Sequence, residues 1–265
     1  MMRKPDKYFL NSVLDGYLKK TDVFVFDLNG LIIDDEALQL VAHNAGIAAY
    51  YKTNRPKETP PQISEEQWGR ICVGRHPQDW LPIIVGRCLD EGEKEAVKKV
   101  KDDVFFKLIG DRIHEIARPG AIPLIQHLHE SGRPLALATS SAAPFVKKAL
   151  GEEGLNVLSC FDYWLCGDMV KKKKPDPEIY DTVRAHFGAG LRYLVFEDAE
   201  SGCLSAYGAK MDCIAVPNKF TLTQDLSKAV VVIDSLCPDA VSIRDILPAA
   251  LAKNFQIKAN PAPQL

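Results

Sequence analysis

The polar and apolar positions of the chain change rhythm twice. Phe9, Leu10, Val13, Leu14, Tyr17 and Leu18 recur at helical spacing, which predicts an amphipathic helix over residues 5–20. Val23 to Phe26 is short, uninterrupted and rich in β-branched and aromatic residues, the composition of a strand buried on both faces. From residue 36 to residue 110 no comparable strand follows. Apolar residues there keep a helical period over 36–51, 64–73, 77–89 and 92–109, and the Lys/Pro-rich KTNRPKETPPQ (52–62) reads as a loop. After Arg118-Pro119-Gly120 the rhythm changes again. A helix at 121–131 is followed by the strand PLALATSS, a helix at 143–152, the strand YWLCG, a helix at 177–187, the strand YLVFED, a helix at 200–209 and the strand CIAVP. Strands alternating with helices predict βαβ units and a parallel sheet. The expected fold is α/β, with a core of residues 1–35 and 111–265 and an all-helical insertion of residues 36–110 after the first strand. The end of the chain, NFQIKANPAPQL, reads as a loose tail.

Composition narrows the function classes. The 265 residues suffice for one large domain with an insertion, and 46% apolar with 26% charged content is ordinary for a globular protein. A net charge of −2 leaves no electrostatic footprint for nucleic acid or an anionic membrane, so neither is an expected partner. The apolar runs are strand-sized, which argues against a membrane span, and MMRKPDKYFL lacks the apolar stretch of a signal peptide. Cys72, Cys88, Cys160, Cys166, Cys203, Cys213 and Cys237 form an odd, scattered set without a CxxC pair. They read as reduced thiols of a cytoplasmic protein, a monomer or small homo-oligomer, and not as a disulfide framework or zinc site.

The chemistry gathers where strands end. In open parallel sheets, ligands bind beyond the carboxyl ends of the strands. The first strand ends at Asp27-Leu28-Asn29-Gly30, LALATSS at Thr139, Ser140 and Ser141, and YLVFEDAESG at Glu197 and Asp198; KKKKPDPEIY contributes Lys174 before Pro175. Carboxylates, a hydroxyl and a lysine on one rim suit a divalent cation with a phosphate, because hard Mg²⁺ prefers carboxylate, carbonyl and phosphate oxygens. Thr139 and the lysine ammonium can hold the remaining phosphoryl oxygens.

These four stretches, FDLNGLIIDDE, LATSS, KKKKPDPEIY and VFEDAESG, resemble the motifs of the haloacid dehalogenase (HAD) superfamily. The resemblance is to its helical-cap branch, which includes beta-phosphoglucomutase and small sugar-phosphate phosphatases, and it runs from residue 23 to about residue 217. It implies a Rossmann-like core under a cap and a Mg²⁺-dependent, two-step phosphoryl transfer on a small phosphorylated metabolite. Asp27 would be the nucleophile that forms an aspartyl-phosphate. The metal would lie on Asp27, the backbone carbonyl of Asn29, Glu197 and Asp198. Leu28, Thr139, Ser140 and Lys174 would bind the phosphoryl group, and the cap would close over the leaving group.

One position departs from the family pattern. Members carry a general acid/base aspartate where this chain has Asn29, and an amide does not shuttle protons at neutral pH. Losing such a group typically costs roughly 10²–10⁴-fold in rate. Three readings stand open: a phosphatase or phosphomutase whose shuttle is replaced, a feeble relative that binds a phosphorylated ligand or partner, and a HAD hydrolase with different chemistry. The C–Cl branch uses no Mg²⁺, whereas Glu197 and Asp198 are kept. The C–P branch needs a cap lysine, and Lys52 and Lys57 sit in the Pro-rich loop.

Other residues receive more modest expectations. Asp34, Asp35 and Glu36 suit the start of the first cap helix or the cap–core hinge. Gly74 and Arg75 lie on a cap turn of the kind that faces the active site in related caps. Arg75 is either a second anion contact or a surface arginine, and His76 beside it is a minority candidate for the missing acid/base. Trp80 is expected in the core, Lys171 to Lys173 in solvent, and His127 and His129 on different helix faces, unsuited to one metal.

Overall fold

A computed structural model of the protein describes residues 12–238 and residue 240. The chain begins there with α1 (Ser12–Lys20); the part of the expected helix before residue 12 and the C-terminal tail lie outside the described residues. Strand β1 (Val23–Phe26) is buried throughout, as its unbroken apolar run requires. Between it and α6 (Ala121–Glu130) the chain inserts α2 (Glu36–Asn54), a short α3 (Glu65–Gln67), α4 (Pro77–Val85) and α5 (Glu91–Ile109). The rest alternates: β2 (Leu135–Ala138), α7 (Ala143–Leu150), β3 (Tyr163–Leu165), α8 (Glu178–Phe187), β4 (Tyr193–Glu197), α9 (Glu200–Gly208), β5 (Asp212–Ala215) and β6 (Val231–Val232). The strands form one parallel sheet in the order β3-β2-β1-β4-β5-β6, with Val25 opposite Ala136 on one side and Val195 on the other. The α/β core with an inserted helical region is therefore the architecture that the alternation implied.

The period of two along each strand divides the core. Phe24, Phe26, Leu135, Leu137, Leu194 and Phe196 pack on one face with Leu14, Leu18, Leu124, Leu128 and Val146 from α1, α6 and α7. Val23, Val25, Ala136, Ala138 and Val195 face the other way, against Ile179 and Val183 of α8 and Cys203 and Ala206 of α9. Every strand end on the carboxyl side is thus fixed by two packed layers.

The helical region has its own core of Leu40, Ile47, Tyr50, Trp68, Trp80, Leu81 and Val97, joined by Phe220 from the α/β layer. Helices α2 and α5 approach closely at Gly46, where a Cβ would lie 2.5 Å from the Val97 carbonyl. Capping boxes start α3 (Ser64 with Gln67) and α5 (Asp90 with Glu93), each satisfying backbone N–H groups that a helix start leaves open. Two expectations shift. Helix α2 runs to Asn54, into the stretch read as a loop, and the stretch read as one helix at 64–73 passes from α3 into a π turn at Trp68–Cys72. Among the described residues no helix is long and apolar enough to cross a membrane.

Candidate active site

Asp27 follows β1 directly, so packing of the central strand fixes its carboxylate at the mouth of the sheet. Its main chain then turns sharply. Leu28 offers its carbonyl to the N–H groups of Leu31, Ile32 and Ile33, while its side chain lies in the core and not on the cleft. Gly30 takes φ +75°, and a Cβ there would meet Asp198 Oδ2 at 2.2 Å. Only glycine lets this turn pass so close to the carboxylate of another strand.

Lys174 reaches in from the loop before α8, its side chain 5% exposed. It donates to Asp27 Oδ1 at 2.8 Å, Glu197 Oε1 at 2.6 Å and the Ala138 carbonyl at 2.9 Å. Burial acts to lower the Lys174 pKa, but the charges of Asp27 and Glu197 outweigh it and hold the ammonium above its ordinary value. Tyr180 also donates to Glu197 Oε1. Burial raises the Glu197 carboxyl to about 7 and Asp198 well above the usual carboxylate range, with Asp27 adding to both shifts.

Lys174 thus pairs with two of three buried carboxylates, and Arg118 is the cation that acts on the third, Asp198. Asp27, Glu197 and Asp198 each offer an oxygen to a common point, and these atoms lie within 4.8 Å of one another. Hard oxygen donors with uncompensated negative charge in a buried pocket fit a divalent cation of the Mg²⁺ type. Asp198 is steadied by Asn218, whose Nδ2 donates to Oδ2 at 2.9 Å. Arg118 joins the loops beneath, donating to the carbonyls of Gly30, Val216 and Pro217 at 2.5, 2.7 and 3.1 Å.

Asn29 is held at both ends of its amide. Ser141 Oγ donates to its Oδ1 at 2.5 Å, and its Nδ2 donates to Asp35 Oδ2 at 2.7 Å. Asp35 precedes α2 without capping it through its side chain; it accepts from Gln39 as well, at 3.1 Å. Thr139 is fully buried and accepts from the Ser141 N–H at 3.1 Å, while Ser140 is exposed on the rim.

These residues line a cleft of about 580 Å³ between the sheet and the helical region. Asp27, Asn29, Thr139, Ser140, Lys174, Glu197 and Asp198 form its floor; Glu36, Gly74, Arg75, His76, Lys98 and Lys101 approach from the helices. Gly74 sits against the core, its missing Cβ 3.0 Å from Ser201 Oγ. His76 caps α4, its Nδ1 accepting from the Gln78 N–H at 3.3 Å. Trp80 is core, as expected. The motif spacing did not point to Tyr180, Asn218, Arg118 or Glu36. Arg118 stood out only as a boundary, and Glu36 only as one of three clustered acids.

Known proteins resemble this chain in sequence and fold. A family model described as haloacid dehalogenase-like hydrolase matches residues 21–209. The probable pseudouridine-5'-phosphatase of Drosophila melanogaster is 28% identical over 229 residues, covering 83% of this chain and 91% of that protein. Protein CbbY of Cereibacter sphaeroides is 31% identical over 225 residues, covering 81% of this chain and 92% of that protein. A crystal structure of an Asp-to-Asn mutant of CbbY from Rhodobacter sphaeroides, in complex with xylulose-(1,5)bisphosphate, shares the fold: TM-score 0.69, 24% identity, 82% of this chain and 95% of that one.

Proposed function

Since the chain belongs to the haloacid dehalogenase-like hydrolases, we propose that it hydrolyses or transfers the phosphoryl group of a small phosphorylated metabolite through an aspartyl-phosphate on Asp27. The observation that carries this reading is the placement of Asp27. A carboxylate at the end of the central strand, 2.8 Å from a buried lysine and within 4.8 Å of two further carboxylates, is a nucleophile with its charge balance arranged around it.

In this reading an Asp27 oxygen bonds to phosphorus as the ester P–O bond breaks. The leaving oxygen takes a proton and departs as an alcohol. Water then bonds to phosphorus, and the Asp27 carboxylate is released. Lys174 pairs with Asp27 and offsets charge on the phosphoryl oxygens, to which Thr139 and Ser140 donate. Mg²⁺ on Asp27, the Asn29 carbonyl, Glu197 and Asp198 would polarise the phosphoryl group when bound. Helices α2–α5, residues 36–110, serve as the cap that closes the cleft, with Gly74 and Arg75 toward the leaving group. Asn29 stands where the family's proton shuttle is expected; its amide, fixed by Ser141 and Asp35, serves to orient and not to transfer protons.

The reading is tested with a panel of sugar phosphates, nucleoside monophosphates and nitrophenyl phosphate in Mg²⁺. Turnover of small monoesters is expected, and Asp27→Asn should abolish it without lowering the melting temperature. Turnover that survives Asp27→Asn, or no turnover of any ester, contradicts it.

A further inference from the structure

Asn29 puts an amide where the cleft floor would need a proton shuttle; of the cleft carboxyls outside the metal-site group, Asp102 is paired at both oxygens, whereas Glu36 is held by one. Glu36 opens α2, lines the same cleft as Asp27 and is 8% exposed. Trp68 Nε1 donates to its Oε2 at 2.9 Å. No hydrogen-bond donor among the described residues is found for Oε1. The Trp68 ring packs against two others: it lies nearly at right angles to Trp80, its neighbour in the cap core, at a centroid distance of 5.8 Å, and 5.3 Å from the His43 ring. A buried carboxyl held by one oxygen, with the other unpartnered, on the same cleft as Asp27, is suited to proton transfer.

We propose that Glu36 is the catalytic acid/base of this site, taking the part that the amide of Asn29 cannot play. This rests on the phosphoryl-transfer reading above. In the first step the Asp27 oxygen bonds to phosphorus, and the electron pair of the breaking ester bond goes to the leaving oxygen. That oxygen takes the Glu36 proton and leaves as an alcohol, with Glu36 now a carboxylate. In the second step Glu36 takes a proton from water as the water oxygen bonds to phosphorus. The bond between phosphorus and Asp27 breaks, its electron pair returns to the Asp27 carboxylate, and Glu36 is again protonated.

The surroundings agree with the starting state. Burial, then Asp35, raises the Glu36 carboxyl to about 8, against a pull down from Trp68; Asp34 and Asp27 add to the rise. Asp198 and Cys72 also face it. This rise favours the protonated form that the first step uses. The other groups fit less well. Asp35 also has an unpartnered oxygen, Oδ1, but it is fully buried and lies outside the cleft lining, with Oδ2 tied to Asn29 and Gln39. His76 accepts at Nδ1 from the Gln78 N–H, which puts the proton of its neutral ring on Nε2 and leaves no base aimed elsewhere.

Four proteins test this: the unaltered chain, Glu36→Gln, Asn29→Asp and the double variant, assayed on an alkyl phosphate and on nitrophenyl phosphate. Glutamine keeps an oxygen for the Trp68 donor, so the fold should persist, as a thermal melt would show. Glu36→Gln should lower kcat on the alkyl ester by roughly 10²–10⁴-fold. On nitrophenyl phosphate, whose leaving group needs no proton, it should give a burst followed by slow turnover as the aspartyl-phosphate accumulates. Asn29→Asp should restore most of the loss in the double variant, which a purely structural role for Glu36 would not allow. A loss below tenfold in Glu36→Gln, or a loss that Asn29→Asp does not repair, overturns the assignment. If neither the unaltered chain nor Asn29→Asp turns over any ester, the phosphoryl-transfer reading fails and the assignment with it.

Discussion

Asn218 donates to Asp198 Oδ2 at 2.9 Å, and its own Oδ1 accepts from the backbone N–H groups of Phe220 and Thr221 at 2.8 and 3.2 Å. One side chain therefore ties an acid of the candidate metal site to the loop that grips the helical region. Phe220 is part of the cap core, Lys219 pairs with Glu65 at 2.5 Å, and Gln224 donates to the Val73 carbonyl at 3.2 Å. The loop after β5 thus touches both the candidate metal site and the helical region.

Replacing Asn218 should be felt first at the metal. A hydrogen bond to a charged group is worth more than one between neutral groups, and the donor favours the ionised form of Asp198. Asn218→Ala should weaken Mg²⁺ binding roughly 10–100-fold by calorimetry at constant pH. Unchanged affinity would show that Asp198 needs no such support.

Phe220 should clamp the cap. Truncating a buried phenylalanine typically costs about 3–5 kcal/mol. Phe220→Ala should lower the denaturation midpoint and speed amide hydrogen exchange over 69–73, where Gly69 lies against the Phe220 carbonyl. A stability loss with unchanged exchange there would confine Phe220 to its own loop.

Gly30→Ala should abolish Mg²⁺ binding. Its Cβ would lie 2.2 Å from Asp198 Oδ2 and 2.8 Å from Asn218 Nδ2, on a backbone with φ +75°. Retained binding in this variant would mean that the turn rearranges without moving Asp198.

Acid should destabilise the protein through His43. Burial between Trp68 and Trp80, then the charge of Lys101, lowers its pKa from 6.5 to about 3, against a smaller opposing effect of Asp102. Between those values the unfolded chain holds a proton that the folded chain refuses. The contribution is present above pH 6.5 and is lost as pH falls toward 3. From pH 7.5 to 5.5 the protein should lose about 1.4 kcal/mol more than His43→Phe, measured by denaturant unfolding. An equal loss in both would remove His43 from the effect.

The sheet and the polar residues at its carboxyl rim were legible because they are written locally. Val23–Phe26 and residues 193–196 are apolar runs; Asp27 and Thr139 follow their strands directly, Glu197 ends β4 and Asp198 follows it. Strand β6 was not legible, since two valines at a sheet edge carry no period. The partners of the site were hidden for another reason. Trp68 reaches Glu36 across 32 positions and Asn218 reaches Asp198 across 20, and such contacts follow from how the loops pack. Asp34, Asp35 and Glu36 looked alike in a row, but the turn into α2 buries Asp35 against Asn29 and brings Glu36 to the cleft.

The central claim is that Asp27 carries the phosphoryl group. During turnover of a radiolabelled phosphate monoester with Mg²⁺, the protein is quenched in acid, digested and separated. The account predicts label on the peptide that contains Asp27, released by hydroxylamine as an acyl phosphate should be, and absent from Asp27→Asn. Turnover with no protein-bound label, or label that persists in Asp27→Asn, would contradict it.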